Sequence, residues 1–491
     1  MIESDLVNEL FQSTIQNRNK LALAVNNNSL TYSQLWQSIC SISYKLDKQG
    51  IVAGDRILFS LDNTLDFIIL HFAVLKLGAI SIPVDTMISE TNLDSIIKDV
   101  NPALIIANNN FGKKILTNPE IFIEASSFLS NYDLDNQKEL ESYIYKYNNS
   151  QNLAVILFTS GSTGTPKGVM LSHANTIQTI RNIINFCSYD KNCTELVTLP
   201  LTHSFGLGQV YAMLFSGGSA FLETGMLRMK RIFKAMDDYD ITGFPTTPKG
   251  VDLIINRYAE LFQEKGKNIK TIIVNSAPLM PHQTKILQTL LPNSKIYVYY
   301  GLTEASRSSF ACLTDLGPDM YSTVGQAMDS VDISIDDDSG EIFISGPTVS
   351  AGYWPDNFFK ISEKKYPIIP TGDIGFLDED RNLYITGRIK DQINIGGYKV
   401  DPFEVEKIVK GFDQIKELAV VGSDINNEEQ VVYFIVPNDL EEFKNSDFKE
   451  FCRGKIEHYK MPKKIIFMEK LPEGVNGKID RKALKELINN N

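Results

Sequence analysis

Across residues 1–380, short apolar runs alternate with helical patterns. The runs fall at 56–61, 103–107, 153–159, 195–199, 243–245, 271–275 and 295–300. This alternation predicts α/β layers around a mainly parallel sheet, because parallel strands are buried on both faces and need helical crossovers. After an apolar run at 342–345, the segments 372–378 and 383–388 read as short strands joined by tight turns, a small barrel-like β part. Residues 387–391 look like a junction. Beyond it, strand signals at 419–421, 431–436 and 464–468, with helical patterns between, predict a small α+β domain. The expected division is therefore a large domain at 1–389 and a small one at 390–491. The most membrane-like stretch, 65–84, contains Asp66, His71 and Lys76. It reads as a packed helix leading into a strand, not as a span.

Composition narrows the class. A chain of 491 residues exceeds one ordinary core, in keeping with two domains. Forty-eight basic against sixty acidic side chains give a net charge of −12, which argues against nucleic acid or an anionic membrane as partner. The first residues lack the basic and apolar regions of a secretory leader. Five cysteines (Cys40, Cys187, Cys193, Cys312 and Cys452) are an odd number without metal-ligand spacing, as expected of reduced thiols in a cytoplasmic protein.

The chemistry concentrates first after the run 153–159. Thr159, Ser160, Gly161, Ser162, Thr163 and Gly164 are followed by Pro166, Lys167 and Gly168. Hydroxyls, backbone N–H groups and one ammonium suit a polyphosphate, and the glycines let the main chain approach an anion. The common phosphate loop of strand–loop–helix NTPases is excluded, since Pro166 precedes the lysine and Gly168 comes after it.

This string resembles the signature of the adenylate-forming enzymes, the family of acyl- and aryl-CoA synthetases, peptide-synthetase adenylation domains and luciferases. The resemblance extends, in order, through Tyr300-Gly301-Leu302-Thr303-Glu304, Thr371-Gly372-Asp373, Gly387-Arg388-Ile389-Lys390-Asp391 and the segment 472–481 that contains Lys478. It implies ATP and Mg²⁺ as cofactors. Tyr300 and Gly301 would lie at the adenine, Thr303 at a phosphate and Glu304 at the metal. Asp373 would accept from the ribose hydroxyls, as a two-oxygen carboxylate can, and Arg388 would sit near the ribose or phosphates. Lys390 takes the hinge position about which a mobile small domain would turn. Lys478 would contact the substrate carboxylate and α-phosphate, with Thr303 and His203 as the other catalytic candidates. In a second orientation, Gly396 and Gly397 would flank the tunnel for a pantetheine thiol. The implied reaction joins a carboxylic acid to AMP, releases pyrophosphate and passes the acyl group to coenzyme A or to a carrier protein acting in trans.

The substrate is less legible. Amino-acid-activating relatives carry an acid in the region where this chain reads Thr202-His203-Ser204-Phe205, and an ammonium buried there would be unpaired. An acid without an α-amino group is therefore expected, with Phe205, Phe244, Pro245, Thr246, Ser276, Ala277 and Leu302 as pocket candidates. Amino-acid adenylation remains the alternative of the same chemistry, and a non-catalytic nucleotide- or acyl-binding scaffold the alternative of another class. Three departures stand out: Asn275-Ser276 replaces two glycines, Tyr299 replaces an amide, and Arg381 replaces the glycine usual after Asp380.

Overall fold

The computed structural model describes residues 5–108, 111, 121–130, 153–159, 166–361, 366–391, 393–395, 398–425, 428–453, 455–456, 458–474 and 478–489. The loop residues Ser160, Gly161, Ser162, Thr163 and Gly164, and the glycines Gly396 and Gly397, lie outside these. Two compact units form: Met1–Ile333 with Ile344–Ile369, and Ser334–Phe343 with Pro370–Asn491.

The first unit is built on two large sheets. In the nine-stranded sheet, Lys295–Tyr300, Thr271–Val274, Gly243–Thr246, Thr194–Val197, Ser219–Leu222 and Leu21–Val25 run parallel, and antiparallel strands close both edges. The eight-stranded sheet pairs Leu153–Thr159, Ile80–Pro83, Arg56–Ser60 and Leu104–Ala107 in parallel. The predicted strand positions are met to within a residue or two.

The membrane-like stretch is helix Leu65–Lys76 and then strand Ile80–Pro83. Thr64 caps the helix by accepting from the Phe67 N–H, and every residue from Phe67 to Lys76 is buried. A helix apolar on all sides belongs inside a layered core. It packs on helix Ser204–Phe215, likewise buried from Phe205 to Leu214, with Phe72 edge-on to Tyr211 at 5.7 Å. One polar member of this stretch, His71, bonds Ser81 Oγ at 2.7 Å and the Tyr211 hydroxyl. Burial, and secondarily His173, pushes it down to about 3, so it stays neutral. Among the described residues no helix is long and apolar enough to cross a membrane.

In the second unit, strands Ile415–Ile425 and Glu428–Pro437 pair antiparallel, and Lys464–Phe467 joins in parallel. Strict alternation splits their side chains. Leu418, Val420, Tyr433 and Ile435 pack with Val405, Val409 and Phe448, whereas Ala419, Val421, Val432 and Phe434 pack with Leu484 and Ile488. Both faces are thus covered by helices, the α+β arrangement expected. The short strands ahead of it form a five-stranded sheet. Its hairpin pairs Asp373 with Arg388 and Leu377 with Leu383, bulged between Ile374 and Gly375.

Candidate active site

The apolar run 153–159 and the residues after the loop form an antiparallel hairpin, Leu153–Thr159 with Lys167–Ser172, in which Thr159 faces Lys167. Lys167 therefore opens a strand, not a helix. Gly168 has a packing reason: a Cβ there would lie 2.8 Å from Ile156 Cγ2 and 3.1 Å from Phe158 Cζ. Strand Gly352–Tyr353 adds to this hairpin at Val169, and the Trp354 N–H donates to Gly168 O at 2.7 Å.

That extra strand brings in a residue the sequence did not reveal. The Lys167 ammonium lies 5.2 Å from the Tyr353 ring centroid, and the Tyr353 hydroxyl donates to Glu304 Oε1 at 2.7 Å. The phenol is pushed up, first by burial and then by the Glu304 carboxylate. Lys167 and Glu304, far apart in sequence, thus share one aromatic neighbour. No motif or strand signal in the sequence marks Tyr353.

Glu304 sits on a tight turn after strand Lys295–Tyr300, closed by Leu302 N–H to Ala305 O at 3.0 Å. Gly301 is obligatory here, because a Cβ would come within 2.4 Å of Arg307 N. Leu302, Thr303 and Glu304 are half-buried, and Tyr300 is buried at the strand end. Magnesium is commonly held by one or two carboxylates together with substrate phosphates. A half-buried carboxylate that accepts from a phenol, as Glu304 does, is the donor type that such an ion takes.

His203 precedes helix Ser204–Phe215 and is half-buried. Burial lowers its pKa, with Asp85 opposing, so the imidazole is neutral at neutral pH. Phe205 is edge-on to Tyr299 at 5.3 Å, and Tyr299 stacks on Phe310 at 5.1 Å. Other pocket candidates are dispersed. Phe244 packs into the core against Phe262 at 5.6 Å. Pro245 is buried, and Thr246 is buried with Oγ1 lacking a partner among the described residues. Ala277 is exposed, as is Ser276, whose φ of +85° is left-handed backbone that favours glycine. The Asn275-Ser276 departure therefore keeps the glycine-like turn at the cost of strain. Asn275 Nδ2 ties it to Tyr299 O at 2.6 Å.

The second unit carries the other group. Thr371 Oγ1 donates to Ile342 O at 2.8 Å, and the Gly372 N–H, at φ +72°, donates to Glu341 Oε1 at 2.9 Å. This fixes Asp373, which is 3 % exposed and pairs with Arg388 Nε at 2.6 Å. The Lys478 carbonyl accepts from the Gly474 N–H at 2.8 Å. The outer surface of Lys478 is open to solvent, yet its pKa is lowered by burial and by Arg388, against the pull of Asp373. Asp373, Arg388 and Lys478 are thus electrostatic neighbours within one unit. The backbone of Lys390 lies in the short 3-10 turn Ile389–Asp391, between the hairpin and strand Ile393–Ile395.

Two layered sheets and a small α+β unit after them are the architecture of an adenylate-forming enzyme. The chain matches the AMP-binding enzyme family over residues 10–354 and the AMP-binding enzyme C-terminal domain over 404–478, and it belongs to that family. Among curated relatives, a peroxisomal OPC-8:0-CoA ligase of Arabidopsis thaliana is 25% identical over 98% of this chain and 93% of its own length. A 2-succinylbenzoate–CoA ligase of Bacillus cereus is 25% identical over 98% of both chains. ATP-bound MatB from Rhodopseudomonas palustris shares the fold with a TM-score of 0.87 at 23% identity, covering 98% of each chain. The Bacillus subtilis o-succinylbenzoate CoA synthetase in complex with its acyl-adenylate shares it with a TM-score of 0.83 at 19% identity, over 97% and 98% of the two chains.

Proposed function

We propose that this chain is an AMP-forming acid–thiol ligase that activates a carboxylic acid with ATP and transfers the acyl group to coenzyme A. The observation that carries the reading is the grouping of Asp373, Arg388 and Lys478 in one unit, a carboxylate for a ribose and two cations for phosphate. The Lys167–Tyr353–Glu304 cluster of the other unit supplies a further cation and a metal-binding carboxylate. Attack of one anion on another is limited by electrostatics, so preorganised cations are what the step demands. Bound Mg²⁺ would neutralise phosphate charge beside Glu304. Lys478 would hold the carboxylate and α-phosphate oxygens, Lys167 with Thr159 the outer phosphates, and Thr303 a phosphate oxygen. Tyr300 and Gly301 would border the adenine. Neutral His203 and Phe205 would border the acyl group.

Coenzyme A is favoured as acceptor because the curated relatives, covered nearly end to end, are CoA ligases. Thioester formation would require the small domain to turn at Lys390 and present the 396–397 glycines. All five cysteines are free, which supports a reducing compartment such as the cytoplasm. The test is hydroxylamine-trapped adenylation across fatty, aryl, dicarboxylic and amino acids without thiol, and then CoA addition to the best acid. Turnover confined to amino acids would overturn the unaminated-acid reading. No turnover by folded protein would overturn the ligase reading.

A further inference from the structure

Behind the Thr303–Glu304 turn lies a cavity of about 40 Å³, bordered by Thr303, Arg307 and Thr348 and by the apolar Val155, Leu157 and Leu171 among others. Arg307 is the dominant group. It is 1% exposed, and its φ of +58° is left-handed backbone that a branched-chain or bulky residue rarely adopts. Its guanidinium donates to Ser204 O at 3.2 Å, Ser306 Oγ at 3.0 Å, Phe205 O at 3.1 Å and Gln209 Oε1 at 3.2 Å. All four acceptors are neutral. Gly208 makes room for it, since a Cβ there would lie 2.6 Å from the guanidinium nitrogens. Arg307 Nε and Thr348 Oγ1, both fully buried, have no hydrogen-bond partner among the described residues.

A permanent charge buried among neutral acceptors is costly unless an anion joins it. Glu195 is linked to Arg307 through Gln209, whose Nε2 donates to both its oxygens at 3.2 and 3.1 Å. Burial pushes Glu195 up to about 7, so it offsets the guanidinium incompletely near neutral pH. The cavity has room for one small group, and Arg307 and Thr348 are among the polar side chains that border it. Ser204 and Phe205 come directly after His203, and Thr303 belongs to the phosphate motif, so the cavity borders the proposed acid site.

We infer that the acid activated by this enzyme carries a second carboxylate, which enters this cavity and is held by Arg307 and Thr348. The inference rests on the ligase reading and names its substrate class as short dicarboxylic acids. The carboxylate would accept from Arg307 Nε–H and Thr348 Oγ1–H, the two donors now unmatched. Charge-assisted, dry and geometrically fixed, this pair would discriminate against an acid lacking the group.

The test uses the full-length protein and thiol-free adenylation. A series of dicarboxylic acids is compared with monoamides and monocarboxylic acids of the same length. Wild type is expected to favour the diacid by about 10-fold or more in kcat/KM, the scale of a lost charge-assisted hydrogen bond. Arg307→Met should collapse that ratio towards one, Arg307→Lys should restore part of it, and Thr348→Val should reduce it several-fold. A scaffolding arginine would depress both series equally and leave the ratio intact, which overturns the inference, as does a wild type that prefers monocarboxylic acids. Because the wild-type ratio is itself decisive, a misfolded Arg307→Met variant leaves the test standing. Turnover of monocarboxylic acids alone sinks this inference and spares the ligase reading, whereas no turnover of any acid by folded protein sinks both.

Discussion

At the scale of single residues, two side chains decide the electrostatics. Lys478 is a compact cation whose proton is held less tightly than an ordinary lysine's, through burial and Arg388. Lys478→Ala is expected to slow adenylation by ~100-fold or more, the cost of losing a preorganised charge at the transition state. The rate should also fall on the alkaline side at lower pH than an ordinary lysine would dictate, because the cationic form acts. Pyrophosphate exchange against pH reads both effects, and an unchanged rate in the variant would remove Lys478 from the mechanism. Tyr353 is the second. Tyr353→Phe keeps the ring under Lys167 but deletes the hydrogen bond to Glu304. Titrating Mg²⁺ in the adenylation assay should show a requirement raised ~5- to 10-fold, in line with a hydrogen bond to a charged group. Lys167, Glu304 and Lys478 stood out in the sequence through their motifs. Tyr353 did not, because its partners are 186 and 49 positions away and no periodicity marks them.

At the scale of elements, close approach rather than composition explains several glycines. Gly387 lies in the hairpin strand Leu383–Arg388, one residue from its end, where Asp401, the cap of helix Pro402–Val409, comes against the backbone. A Cβ at 387 would lie 2.1 Å from Asp401 Oδ2. Gly387→Ala should destabilise the second unit by ~1–3 kcal/mol through overpacking. Asp401→Ala in the same chain should recover most of this, less ~1 kcal/mol for the lost cap. Denaturant melting of the single and double variants gives the comparison, and equal losses in both would remove the steric explanation. The hairpin around Lys167 makes the same point. The Pro166-Lys167-Gly168 order excluded a helix-capped phosphate loop, but strand pairing with Gly352–Tyr353 depends on a segment almost 200 positions later.

For the whole molecule, stability should carry the signature of buried ionisable groups. Glu195 has its carboxyl pushed up to about 7 by burial, with Tyr189, Gln209 and Arg307 opposing. The folded state then holds a proton that the unfolded chain, with the ordinary carboxyl value of 4.5, has released. Its stabilising contribution is full below about 4.5 and is lost as pH rises through 7, on the order of 3 kcal/mol for a shift of this size. Glu195→Gln removes the titration, so urea stability at pH 8 relative to pH 5 should rise in the variant compared with wild type. A variant whose pH profile overlays that of wild type would place the proton elsewhere.

The ordered motifs from Thr159 to Lys478, the α/β character of the large part and the α+β character of the small one are legible in the sequence alone. Those features are local: a strand's period, a loop's composition and a motif's spacing are written in neighbouring residues. Long-range packing alone pairs Asp373 with Arg388 and sets Lys478 within electrostatic reach of both. It also decided that Phe244 fills the core, that Tyr353 joins Lys167 to Glu304, and that Arg307 lies buried beneath the Thr303–Glu304 turn. Each of these depends on contacts between segments tens to hundreds of positions apart. Such contacts are set by how layers pack and which charges are desolvated together, and no local pattern encodes them.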